Sequence, residues 1–179
     1  MCRFFCHFLP CYSNSSSQLK RLGLAKCLGI SDGGLSGVAA KLPLLEELSI
    51  SYCKLSKEAL KAVGRSCPLL KSLQFNNWRP VWGFEHCHEE TLAIAENMSE
   101  LRCLYLVGTF SLTNDSLQVI LDGCPHLESL DLRRCSLLTL AGNLGRCAEQ
   151  IKDLRLPMIP LTTMNLKSTF MKTLVGLSA

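Results

Sequence analysis

Long apolar runs are missing from this chain. No stretch approaches the roughly eighteen consecutive apolar residues of a membrane-spanning helix, so no membrane contact is expected. Blocks of like charge are missing too. The 19 Lys and Arg residues outnumber the 15 Asp and Glu residues by four, and they are spread along all 179 positions. That argues against a nucleic-acid arm and for an ordinary soluble surface. No Gly-rich phosphate loop, nucleophile elbow or paired-carboxylate motif occurs. His7, His86, His88 and His126 are scattered, whereas a Cys–His nucleophile needs a thiol, an imidazole and an orienting group brought together. The chain is therefore read as a non-enzyme with no catalytic residue and no cofactor. The opening stretch Met1 to Pro10 is broken by His7 and Pro10 and lacks the uninterrupted apolar segment of a signal peptide.

Cysteine, by contrast, is abundant. Eleven is a high count and an odd one, while a disulfide scaffold is usually shorter and evenly paired. The chain has about one domain's length and a 47% apolar share, enough to build a core without covalent staples. Reduced thiols in the cytoplasm and/or nucleus are the expected state.

One six-residue pattern recurs: apolar, two variable, Leu, one variable, apolar. It begins at Leu19, Leu45, Leu70, Leu101, Leu127 and Ile151, with spacings of 26, 25, 31, 26 and 24. Eight positions after the first five starts stand Cys27, Cys53, Trp78, Thr109 and Cys135. Asn or Cys at that place, after such a strand, is the mark of a leucine-rich repeat. Further on, Leu60, Val63 and Cys67, and Leu117, Ile120 and Cys124, fall at helical spacing, which puts each set on one helix face. Ser31-Asp32, Ser56 and Thr113-Asn114-Asp115 suit helix N-caps. Pro43, Pro68 and Pro125 stop the helices, since proline lacks the N–H that continues them. Each unit is strand, turn, helix, turn, and one unit cannot bury its own apolar faces. The expected fold is an α/β solenoid of about six stacked repeats over 19–157, a parallel inner sheet with outer helices. Residues 1–18 read as an irregular N-terminal remnant. Residues 158–179 read as a tail that either caps the last repeat through a short helix or stays free.

The Cys-Pro pairs at Cys67-Pro68 and Cys124-Pro125, with Cys27, Cys53 and Cys135 after the strands, resemble the cysteine-containing repeat subtype. The runs from Lys41 to Leu48 and from Cys124 to Leu132 are similar to the repeats of plant F-box/leucine-rich-repeat proteins. So are Ala93 to Met98 and Gln150 to Pro157. The resemblance covers about Ser17 to Pro157. It implies the substrate-recognition part of an F-box component of a cullin-based ubiquitin ligase of the SCF type, in ubiquitin-dependent protein degradation. In that family an N-terminal three-helix F-box binds a Skp-type adaptor. Only eighteen residues precede Leu19 here, too few for three helices of about eleven residues each. The adaptor is therefore expected only where an F-box is supplied elsewhere. The alternative is a stand-alone interaction scaffold, or a truncated product without ligase recruitment. An extracellular receptor ectodomain is disfavoured, because those resemble a repeat with Asn at the turn.

Binding in such a solenoid would use the strand residues that alternate with the buried leucines. The candidates on that face are Arg21, Glu47, Gln74, Asn76, Tyr105, Asp131, Arg133 and Arg155. Tyr105 and the arginines are residue types enriched at hot spots; the competing reading is a solvated face with self-paired charges. The third unit is longer by about six residues, and both tryptophans, Trp78 and Trp82, lie in its extra segment. Such a loop either contacts a partner or folds over the core. His86-Cys87-His88 offers adjacent residues and no second spaced pair, so no metal site is expected.

Overall fold

A computed structural model of the chain describes residues 3–4, 18–76, 86–109, 111–138, 147 and 149–157. Trp78 and Trp82, the rest of their loop and the tail from 158 lie outside the described residues. Six parallel strands carry the repeats: β2 (Arg21–Ala25), β3 (Glu47–Ser51), β4 (Ser72–Asn76), β5 (Cys103–Tyr105), β6 (Ser129–Asp131) and β7 (Asp153–Arg155). They follow one another in sequence order across the sheet. Four helices alternate with them: α1 (Asp32–Ala39), α2 (Lys57–Ser66), α3 (His86–Asn97) and α4 (Asn114–Gly123). Sequential parallel strands joined by crossovers of one hand put every helix on the same side of the sheet. This is the α/β leucine-rich-repeat solenoid that the repeat implies.

The register is strict. Leu22, Leu48, Leu73, Leu104, Leu130 and Leu154 are successive partners across the six strands. The first five are buried and Leu154 packs against them. This file of leucines meets Leu35, Leu60, Val63, Ile94, Leu117 and Ile120 from the helices in one continuous core. Ser31, Ser56 and Thr113 are the N-caps of α1, α2 and α4, each accepting a hydrogen bond from a first-turn backbone N–H. The caps are also tied between repeats. Ser56 donates its N–H at 2.8 Å and its hydroxyl at 2.6 Å to the Asp32 carboxylate of the preceding helix.

Past the ends of β2, β3, β5 and β6 the chain passes through a left-handed residue: Lys26, Tyr52, Gly108 and Arg134 all have positive φ. The first three donate their N–H to a carbonyl of the following repeat, at Ser51, Asn76 and Arg133. Those bonds extend the ladder past the strand ends and offset the steric cost at the non-glycine positions.

Four of the cysteines are explained by the same stacking. Cys53 and Cys135 lie buried in the turns and donate their thiols to Leu24 and Leu106 carbonyl oxygens of the repeat before, at 3.6 and 3.2 Å. Cys67 and Cys124, at the helix ends, do the same toward Ala39 and Met98, at 3.8 and 3.6 Å. A small, weakly donating side chain meets the exposed end of the previous element without leaving a buried polar group unsatisfied. Burial raises both helix-end thiols, Cys124 to about 11, so they are held as thiols rather than thiolates.

One expectation is modified. Arg3–Phe4, within the stretch read as irregular, form a short strand (β1) that pairs antiparallel with β2 at Leu24–Ala25. Backbone hydrogen bonding to a free sheet edge needs no repeat motif, which is why the residue pattern does not reveal it.

Candidate functional site

Three rows of side chains cross the sheet face that points away from the helices. Register places Arg21, Glu47, Ser72, Cys103, Ser129 and Asp153 in the first row. Gly23, Ser49, Gln74, Tyr105, Asp131 and Arg155 form the middle row, and Ala25, Ser51 and Asn76 open the third. Side chains in the middle row grow over the first four of these strands, from no side chain at Gly23 through Ser49 and Gln74 to the phenol of Tyr105. The floor is therefore low at the N-terminal end.

The consequence is a hollow of about 450 Å³ over β2 to β5. Gly23, Ala25, Ser49 and Ser72 line its floor, and Gln74 and Tyr105 stand at its far side. Arg21 and Glu47 close the near rim through an ion pair of 3.0 Å. Ser49, Ser72, Gln74 and Tyr105 are partly exposed. Their side chains make no hydrogen bond among the described residues. Asn76 lies just past the hollow, and its Oδ1 is buried without a hydrogen-bond partner among the described residues.

The C-terminal end is built differently. Asp131, read from alternation as solvent-facing, is buried at 1% exposure. Arg133 folds back onto it, with Nε 3.0 Å from both carboxylate oxygens and Nη2 2.7 Å from Oδ2. The Arg133 backbone N–H adds a bond of 3.1 Å, and Arg155 reaches across from β7 at 3.9 Å. Arg155 also pairs with Asp153 at 3.3 Å, and Ser129 donates to the same Asp153 oxygen. Burial alone would push the Asp131 carboxyl up, but the Arg133 hydrogen bonds and the two guanidinium charges outweigh it and hold the pKa low. So the sequence candidates divide. The structure brings Arg21, Glu47, Gln74 and Tyr105 around one hollow, removes Asp131 from the surface, and engages Arg133 and Arg155 with carboxylates.

A second feature escapes the alternation argument, because it sits one position before each strand. Lys20, Glu46, Lys71, Arg102, Glu128 and Lys152 line the sheet's entry edge. Ion pairs join Lys20 to Glu46 at 2.9 Å, Glu46 to Lys71 at 3.9 Å, Arg102 to Glu128 at 2.9 Å and Glu128 to Lys152 at 3.3 Å. The signal that finds it is charge read at one fixed repeat position. The hydrogen bond from Lys20 lowers the Glu46 pKa, and that from Lys152 lowers Glu128. These pairs are exposed, so they register the stack more than they stabilise it.

His86-Cys87-His88 opens α3. His88 Nδ1 lies 3.2 Å from the Ser116 hydroxyl on α4. Among the described residues no group of three or more His, Cys, Asp or Glu is placed to hold a metal.

No family model matches the chain. Curated proteins do. The chain is 50% identical over 150 residues to F-box/LRR-repeat protein 23 of Arabidopsis thaliana, a match covering 81% of this chain and 32% of that protein. It is 42% identical over 146 residues to the Arabidopsis F-box protein SKIP19, covering 81% of this chain and 46% of the relative. The chain thus spans between a third and a half of the length of these relatives. Among solved structures, a chain of the yeast Rad7 and Elc1 complex superposes with a TM-score of 0.58 at 25% identity, covering 79% of this chain and 35% of that one. The Leu-x-x-Leu-x-Leu strands, the cysteine-bearing turns and these relatives agree, and the chain belongs to the plant F-box/leucine-rich-repeat family.

Proposed function

We propose that this chain is the protein-recognition part of an SCF-type ubiquitin ligase component. Its repeats hold a protein substrate on the face opposite the helices. The carrying observation is that the match to F-box relatives spans 81% of the chain, and so takes in most of the residues that build the continuous sheet. In this reading the chain is a binding module and not an enzyme. An F-box, in the longer relatives or on a partner, recruits the Skp-type adaptor. The setting is the cytoplasm or nucleus, which suits thiols such as Cys53, Cys67 and Cys124 that fill repeat positions as free cysteines.

Expression of the tagged chain in plant cells, with and without an F-box fused upstream, tests this. Captured proteins are identified by mass spectrometry and their turnover is followed with and without proteasome inhibition. The same proteins should be captured by both versions and should turn over faster only with the F-box. A soluble chain whose captured proteins keep the same lifetime in both settings overturns the reading.

A further inference from the structure

The described hydrogen-bonding capacity of the open face is unevenly spent. At the C-terminal end two carboxylates and two guanidiniums neutralise one another, with Ser129 joined to the set. At the N-terminal end Ser49, Ser72, Gln74 and Tyr105 surround a hollow, and their side-chain polar groups make no hydrogen bond among the described residues. The charge at its rim, Arg21 with Glu47, is already balanced. A ligand here meets donors and acceptors but no net field.

We infer that the hollow over β2 to β5 binds a short, uncharged, extended segment of a protein partner, lying across the strands and held by Ser49, Ser72, Gln74 and Tyr105. This rests on the reading of the chain as a protein-recognition module. Three features favour a peptide. First, the primary amide of Gln74 both donates and accepts, as a peptide unit does, and the serine hydroxyls can do either. Second, the floor of Gly23, Ala25 and Ser49 leaves room for a main chain to approach the sheet. Third, four strands at about 4.8 Å spacing span roughly 14 Å, the length of about four extended residues. Tyr105 offers an aromatic wall with a polar tip for one apolar side chain of that segment. A small organic ligand is less well served, because such sites enclose most of their ligand's surface, whereas this hollow lies open along the sheet face. An acidic or phosphorylated segment would need the guanidiniums of Arg133 and Arg155, which the carboxylates already hold.

The experiment is selection of a displayed random-peptide library, phosphorylated and unphosphorylated, on the full chain. Binding of the winners is then measured on variants. Expected winners carry no net charge, bind equally between about 0.05 and 0.5 M salt, and lose about tenfold or more in affinity with Gln74→Ala or Ser49→Trp. Arg133→Ala should change their binding less than about twofold. A thermal melt of each variant verifies folding, and Gln74→Ala carries the test should the bulkier change unfold the chain. Enrichment of acidic or phosphorylated peptides that depend on Arg133 overturns the proposal. So do binders indifferent to Gln74→Ala, or a folded chain that selects no peptide. Failure here leaves the ligase reading standing if captured cellular proteins still turn over faster with the F-box. Failure of that turnover test leaves the peptide site standing if the selection succeeds.

Discussion

The two ends of the open sheet face share one backbone and differ in almost everything their side chains do. Over β2 to β5 the residues are small or neutral apart from the Arg21–Glu47 pair at the rim, and a hollow of about 450 Å³ results. Over β6 and β7 Asp131 is buried beneath arginines, and Asp153 pairs with Arg155. Behind both ends the leucine file runs on in register across all six strands, and buried cysteine turns occur at Cys53 and at Cys135. A solenoid separates the two requirements physically. Stability comes from positions that face the neighbouring repeat, so the third layer of side chains is left to vary one repeat at a time.

If that separation holds, core damage should cost the same at either end. Leu73→Ala and Leu130→Ala remove fully buried partners of the same leucine file. Each should lose about 2–5 kcal/mol in denaturant unfolding; a much cheaper Leu130→Ala would break the comparison. Next come the helix contacts. A Cβ at Gly64 would lie 2.5 Å from the Asn97 carbonyl oxygen, and one at Gly123 2.6 Å from that of Ala95. Gly→Ala in an open helix gains about 1 kcal/mol, but here both substitutions should lose about 1–3 kcal/mol because two backbones must part. A rise in Tm for either would show that the helices are not so close.

The open face itself should respond unequally. Asp131→Ala strips both arginines of their buried partner and should cost about 1–2 kcal/mol, limited because the guanidiniums remain solvated. Gln74→Ala should stay within about 0.5 kcal/mol, as a surface change does. Acid should sharpen the contrast. The Asp131 carboxyl is held below its ordinary value of 3.8, so its stabilisation is present above that value and fades as pH falls through the lower folded one. Asp131→Asn should remove that part of the acid lability, while Gln74→Ala leaves the pH profile unchanged. The smallest effect belongs to the left-handed turns. Tyr52→Gly and Arg134→Gly exchange about 1 kcal/mol of steric cost for a similar loss of chain entropy. Both should shift Tm little, and by the same amount at the two ends.

Much of this was legible in the residues. The Leu22, Leu48 and Leu73 file follows from spacing alone, as do the caps at Ser31, Ser56 and Thr113. The cysteine turns follow from the repeat motif, although the direction of each thiol, back toward the preceding repeat, does not. Alternation placed Asp131 on the open face correctly and its exposure wrongly. It treats each strand by itself, and a guanidinium from two residues on and another from the next strand cover the carboxylate. The entry-edge ion pairs, Lys20–Glu46–Lys71 and Arg102–Glu128–Lys152, stand one position before each strand, outside the alternation that marks strand interiors. Trp78 and Trp82, read as a contact loop or a cover, fall outside the described residues.

By itself the sequence determined the architecture, because a period near 26 residues with leucines at fixed places admits one economical way to bury every unit. The tertiary structure alone decided which polar groups are available to a partner. Hydrogen bonds and ion pairs between adjacent strands are short-range and depend on side-chain geometry across the register. No single repeat contains both halves of the pair that spends Arg155 on Asp131, or the four strands that leave Gln74 beside an open hollow.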